Sequence, residues 1–155
     1  MKLENRKMLV VYNICGIKRE APDWYIQCIQ NLLDQDFDGF RIVVSSCMNS
    51  KNCIQKLYEK FRNKISYCLI PEKYVVQTTF NKAIIETVKK FGEFEGYMYI
   101  DSGVDFEKQK NVLSEAYKRL ETGKYGIITI QTDTDTAFND LMGGYVGDVM
   151  IEDSA

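Results

Sequence analysis

The 155-residue sequence contains no histidine. That excludes the Ser-His and Cys-His machinery of nucleophilic catalysis and removes the commonest zinc ligand. A metal would have to be held by oxygen or thiolate, and oxygen donors suit magnesium, calcium or manganese. There are five cysteines, an odd number, with no C-x-x-C spacing. The spacing of Cys47 and Cys53 does not suit a zinc knuckle. The cysteines read as small apolar residues of a reducing compartment, with Cys15, Cys28 and Cys68 inside apolar runs. No charge dominates: 20 Lys and Arg face 22 Asp and Glu, a net charge of −2. Nothing in that balance calls for nucleic acid. No apolar run approaches the roughly 18 residues that span a bilayer. The short apolar run near the N-terminus lacks the cleavage site of a signal peptide. The expectation is a soluble, cytoplasmic chain. Neither G-x-x-x-x-G-K-[ST] nor G-x-G-x-x-G occurs, so the P-loop and dinucleotide readings lose their motif.

What is present is a sizeable apolar share, 45%, in a length that fits one domain over residues 1–155. MLVVYNI at Met8–Ile14 reads as a buried strand. Pro22 and Asp23 open a helix whose apolar pairs Trp24/Tyr25, Cys28/Ile29 and Leu32/Leu33 share one face. Asp38-Gly39 is a turn. FRIVV at 40–44 is a second strand, followed by a polar loop at 45–52. The next helix carries Ile54, Leu57, Tyr58 and Phe61 on one stripe. ISYCLI at 65–70 is a third strand, closed by Pro71. Thr78 or Thr79 caps a helix with Phe80, Ala83, Ile84, Thr87, Val88 and Phe91 on its inner stripe. YMYI at 97–100 is a fourth strand, residues 107–120 a helix with Leu113, Ala116, Tyr117 and Leu120 inward, and YGIITI at 125–130 a fifth strand. Residues 146–151 have the composition of one more.

Short strands that are apolar on both faces, alternating with helices, predict an α/β fold: a doubly wound, mostly parallel sheet with helices on both faces. Ligands of such sheets bind beyond the carboxyl ends of the strands. The candidate rim is therefore 12–18, 45–52, 71–79 and 101–105.

Asp101-Ser102-Gly103-Val104-Asp105 follows a buried strand. Two carboxylates there can hold a hard cation such as Mg2+ or Mn2+, which would also bind substrate phosphates. The same residues can also form a capped turn before a helix, the commoner outcome for a motif this short. Tyr12 and Asn13 end the first strand, either contacting a base or serving as core and loop cap. Asn81 and Lys82 lie off the apolar stripe of the third helix, where Lys82 either meets a phosphate or faces solvent. Asp133 and Asp135 form a second acidic cluster or a solvated loop. Trp24 reads as core.

Four stretches, MLVVYNI, FRIVV with SSCMNSKN, VVQTTFNKAI and GYMYIDSGVDF, follow the order found in the N-terminal half of the glycosyltransferase A fold. They most resemble glycosyltransferase family 2, the inverting sugar transferases. The resemblance implies a nucleoside diphosphate sugar donor, a divalent metal, and an acceptor that is a saccharide, lipid or protein. It implies contacts to the donor from Tyr12, Asn13, Ser45, Cys47, Asn81, Lys82 and Asp101. Asp101 matches the first aspartate of the family's Asp-x-Asp motif, and Gly103 replaces the second. Either Asp105 serves as the other metal ligand or Asp101 acts alone through waters. Ser45, Ser46 and Cys47 stand where the family often places a base-contacting aspartate. Glu152 and Asp153 resemble the acidic pair that often supplies the catalytic base. The family's domain commonly continues further, so the chain reads as a transferase or its donor-binding part.

Overall fold

The computed structural model describes residues 6–14, 22–47, 51–70, 76–101, 104–124, 127–130 and 149–152. The chain packs as two units, Met1–Lys110 and Asn111–Ala155.

In the first unit, β1 (Met8–Ile14), β2 (Phe40–Cys47), β3 (Ser66–Ile70) and β4 (Gly96–Asp101) alternate with α1 (Pro22–Leu33), α2 (Lys51–Phe61) and α3 (Val76–Phe91). The strands form one sheet in the order β3-β2-β1-β4, with every pairing parallel. All seven residues of β1 are buried, as a central strand covered on both faces requires. The order reverses between β1 and β4: the chain builds outward from β1 to β3, then crosses back to the other side of β1. In open α/β sheets such a reversal is where ligands bind, beyond the carboxyl ends of the strands, here β1 and β4.

Strand alternation assigns the helices to the two faces. Leu9, Val11 and Val43 pack in one cluster with Ala83, Ile84, Val88 and Phe91 of α3. Tyr12, one residue out of phase, meets Tyr25 of α1 edge-on, with ring centroids 6.4 Å apart. Tyr67 of β3 donates its hydroxyl to the Leu57 carbonyl of α2 at 3.2 Å. Thus α1 and α2 cover one face and α3 the other, as the alternating pattern predicts.

The strand-linking turn at Asp38-Gly39 is as expected. Gly39 adopts φ +94°, and its carbonyl accepts from the backbone N–H groups of Lys7 and Met8 at 2.9 and 3.2 Å.

Several boundaries differ from those read in the sequence. β2 continues through Ser45, Ser46 and Cys47, residues expected in a loop. They remain extended because β1 and β3 flank them: Ser45 pairs with Asn13 and Cys68, and Ser46 with Ile14 and Leu69. α3 begins at Val76, ahead of the expected threonine cap. Trp24 is 40% exposed and Tyr58 54% exposed, so both leave the apolar stripes assigned to them. The α1 stripe narrows to Tyr25, Cys28, Ile29 and Leu32, the i, i+3, i+4, i+7 spacing of a single face.

The second unit holds α4 (Val112–Glu121), β5 (Ile127–Ile130) and β6 (Val149–Glu152). α4 starts five residues later than the expected 107, because Phe106 is buried and its carbonyl accepts from Gln109 N in a turn. Val112, Leu113, Ala116 and Tyr117 are its buried residues. β5 pairs antiparallel with β6 in a two-stranded sheet and does not extend the parallel sheet as a fifth strand among the described residues. The strand read at 146–151 appears as β6.

Candidate functional site

β1, β2 and β4 are apolar through most of their length and carry polar residues near their carboxyl ends. Asn13 on β1 and Ser45 on β2 occupy the same register position, and β4 brings Asp101 to the other side of Asn13. The row continues to Cys68, the register partner of Ser45 on β3. Asn13 alternates with Leu9 and Val11, so it shares the α3 face of the sheet. α3 runs back across that face: Phe91 near its end lies under the Arg41 guanidinium, close to the start of β2. The start of α3 therefore lies at the carboxyl edge, next to the Asn13 row. A helix start carries unpaired N–H groups and the positive end of the helix dipole, which suit an anion.

Asn13, Ser45, Ser46 and Thr79 are all fully buried. Burying polar atoms is costly unless they are bonded. Ser45 Oγ donates to Asn13 Oδ1 at 3.0 Å. Among the described residues, the side-chain nitrogen of Asn13 has no hydrogen-bond partner. Turning the amide over would leave the oxygen unpaired instead, because among the described residues only the Ser45 hydroxyl bonds this side chain. An orphaned polar atom at a strand end, beside the reversal in strand order, is the kind of group a ligand satisfies.

The expected site residues fall into distinct places. Asn13 and Ser45 come together, and Asp101 is in register with Asn13. Asn81 and Lys82 are exposed on α3. Cys47 and Glu152 are the last residues of β2 and β6. Cys15, Lys18, Ser102, Gly103, Asp133, Asp135 and Asp153 lie outside the described residues.

Tyr12 is placed differently from a base-contacting residue. It is fully buried on the opposite face, against Tyr25. Burial pushes its phenol well above the ordinary range, and the neighbouring Cys28, Tyr25 and Asp105 push in the same direction. Its role here is in the core.

Asp105 also lies with the α1 residues. Its Oδ1 accepts from Asn31 Nδ2 at 2.7 Å, and its charge acts on both Tyr12 and Cys28. Burial, and then Asp105, push the Cys28 thiol up to about 12. A thiol that resists ionisation is a poor nucleophile, so this cluster is a structural clasp between α1 and the segment after β4. Asn31 carried no sequence signal beyond lying three residues after Cys28 on the helix, which puts both side chains on one face.

Among the described residues, no group of three or more Cys, Asp or Glu is placed to hold a metal ion. Magnesium needs less from a protein: one or two carboxylates, with waters and substrate phosphates completing the shell. Among the described residues, no helix is long and apolar enough to cross a membrane. Compared with protein-family models the sequence gives no match, and compared with curated proteins it gives none either.

Proposed function

We propose that the carboxyl edge of the parallel sheet binds a nucleoside diphosphate sugar, and that the chain is an inverting glycosyltransferase of the glycosyltransferase A type or its donor-binding domain. The observation that carries this reading is the buried, half-satisfied Asn13 amide beside Ser45, at the strand reversal where Asp101 also stands. The site offers an orphaned polar atom for the donor, a helix start for its phosphates, and a carboxylate position for a cation.

In this reading Asp101 is the residue that would hold Mg2+ or Mn2+. Such a cation would supply charge neutralisation for a diphosphate leaving group. Lys82, nearly two turns into α3, contributes a further positive charge on the side of the phosphates. An acceptor hydroxyl on a saccharide, lipid or protein attacks the anomeric carbon. The base that removes its proton would be a carboxylate, the role for which the family resemblance offers Glu152 or Asp153.

A second reading is a nucleotide-binding module without transfer activity. The engagement of Asp105 by Asn31 favours it, because a metal site then rests on one aspartate of the DSGVD motif. A nucleotidyltransferase on a similar sheet is a third, distinguished by preference for a nucleoside triphosphate.

The test is calorimetric titration with a panel of nucleoside diphosphate sugars, with and without Mn2+, followed by assay of sugar release. Metal-dependent binding that Asp101→Ala removes supports the donor site, and release of the sugar to acceptor or water makes it a transferase. Binding without release leaves the module. Absence of nucleotide binding removes the proposal.

A further inference from the structure

β3 is the outer strand of the sheet, and a cavity of about 700 Å3 opens along it. Its walls come from the end of α2 and the following turn on one side, and from α3 on the other. Four cationic side chains line it, Arg41, Arg62, Lys89 and Lys90, against one carboxylate, Glu86. That carboxylate is already paired with Lys89 at 3.2 Å. Arg41 lies on β2 four residues before Ser45, about 13 Å along the strand, so this is a different place from the Asn13 row.

Arg41 is held rather than splayed into solvent. Its guanidinium lies 3.8 Å from the centroid of the Phe91 ring, and Nη1 donates to Ser66 Oγ at 3.1 Å. Among the described residues, no carboxylate pairs with it. A guanidinium carries five N–H donors in one plane. Stacking covers its face and leaves the edge of that plane, the part that grips an oxyanion with two parallel hydrogen bonds. Partial burial disfavours its charge, and an anion would restore that charge's favour. The same cavity has apolar and aromatic walls in Ile65, Tyr58 and Phe91, and its volume is that of a small-molecule site, roughly 300–1,000 Å3.

We infer that this cavity binds a small organic anion, its phosphate or carboxylate group held by Arg41 with Lys90 and Arg62 around it and its body against Tyr58 and Phe91. The stacked guanidinium supplies direction, the exposed cations supply attraction, and the rings supply contact.

The full chain, labelled with 15N, is titrated with inorganic phosphate and separately with citrate, at ionic strength matched by sodium chloride. The expected result is a saturable shift of the amides of Arg41, Ser66, Cys68 and Lys90 with one or both probes. A response to phosphate alone assigns a phosphoryl ligand, and to citrate alone a carboxylate ligand. Arg41→Gln weakens binding at least tenfold. Because that change also removes the Phe91 and Ser66 contacts, the double variant Arg62→Ala/Lys90→Ala, at two exposed positions, is the companion, with an expected loss of at least threefold in an unchanged fold. Shifts no larger than those from chloride, shifts centred elsewhere, or affinity retained in both variants overturn the inference.

Discussion

The Ser45 hydroxyl donates to the Asn13 side-chain carbonyl across 3.0 Å, with both residues fully buried between neighbouring parallel strands. One bond serves a pair with more hydrogen-bonding capacity than the sheet fulfils. Ser45→Ala removes it and strands the rest of the Asn13 amide. The expected loss is about 1–3 kcal/mol of stability, measured as a lower urea midpoint. The double variant Asn13→Leu/Ser45→Val replaces both polar groups with apolar ones, an exchange that can be nearly neutral. It should recover most of that stability and still lose nucleotide binding, a separation that a purely structural pair would not produce.

The two aspartates of DSGVD should separate in the opposite sense. Asp105 accepts a charge-assisted bond from Asn31 at 2.7 Å, and such bonds contribute about 1.5–3 kcal/mol. Asp105→Ala is expected to lower the thermal midpoint and leave metal-dependent nucleotide affinity within twofold. Asp101→Ala is expected to leave the midpoint nearly unchanged and abolish that affinity. Calorimetry on both variants, paired with thermal melts, checks the separation.

Alkaline pH should weaken the fold through Cys28. Its thiol is raised from 9.0 to about 12 by burial and by Asp105. The unfolded chain releases this proton at the ordinary value, whereas the folded chain keeps it. The contribution is therefore fully present below about pH 9 and is lost as pH rises toward about 12. Tyr12, raised by burial and by Cys28, acts in the same direction. Urea midpoints measured across this range should fall, and Cys28→Ala should flatten the decline.

Gly39 holds the turn into β2 at φ +94°. A side chain in left-handed backbone costs roughly 1–2 kcal/mol. Gly39→Ala is expected to lower stability by about that amount with the parallel sheet retained, checked by denaturation together with far-ultraviolet circular dichroism.

Much of the first unit is legible in the sequence because β1 to β4 are short apolar runs with helical stripes between them. Pro22 and Gly39 punctuate these elements where the chain turns. The end of β2 is not legible: Ser45 and Ser46 are polar, and only their two strand neighbours keep them extended. The start of α4 is misread because Lys108, Gln109 and Lys110 are good helix formers, while the burial of Phe106 and the Lys110 carbonyl's bond from Asp36 N hold that stretch in turns. The fifth apolar run, YGIITI, announces a strand, but composition carries no record of its partner. At the site, spacing placed Asp101 and Asn13 each at a strand end. It could not convey that Asp105, four residues on, reaches Asn31, or that the Tyr12 phenol faces α1. Those facts depend on which sheet face each residue meets.

The most direct measurement is the affinity of the full chain for nucleoside diphosphate sugars in Mn2+, compared with Asp101→Ala and with the Asn13→Leu/Ser45→Val pair. The account predicts saturable binding that requires the metal and disappears in both variants while each remains folded. Binding that ignores the metal and survives both changes, or no binding to any member of the panel, would contradict it.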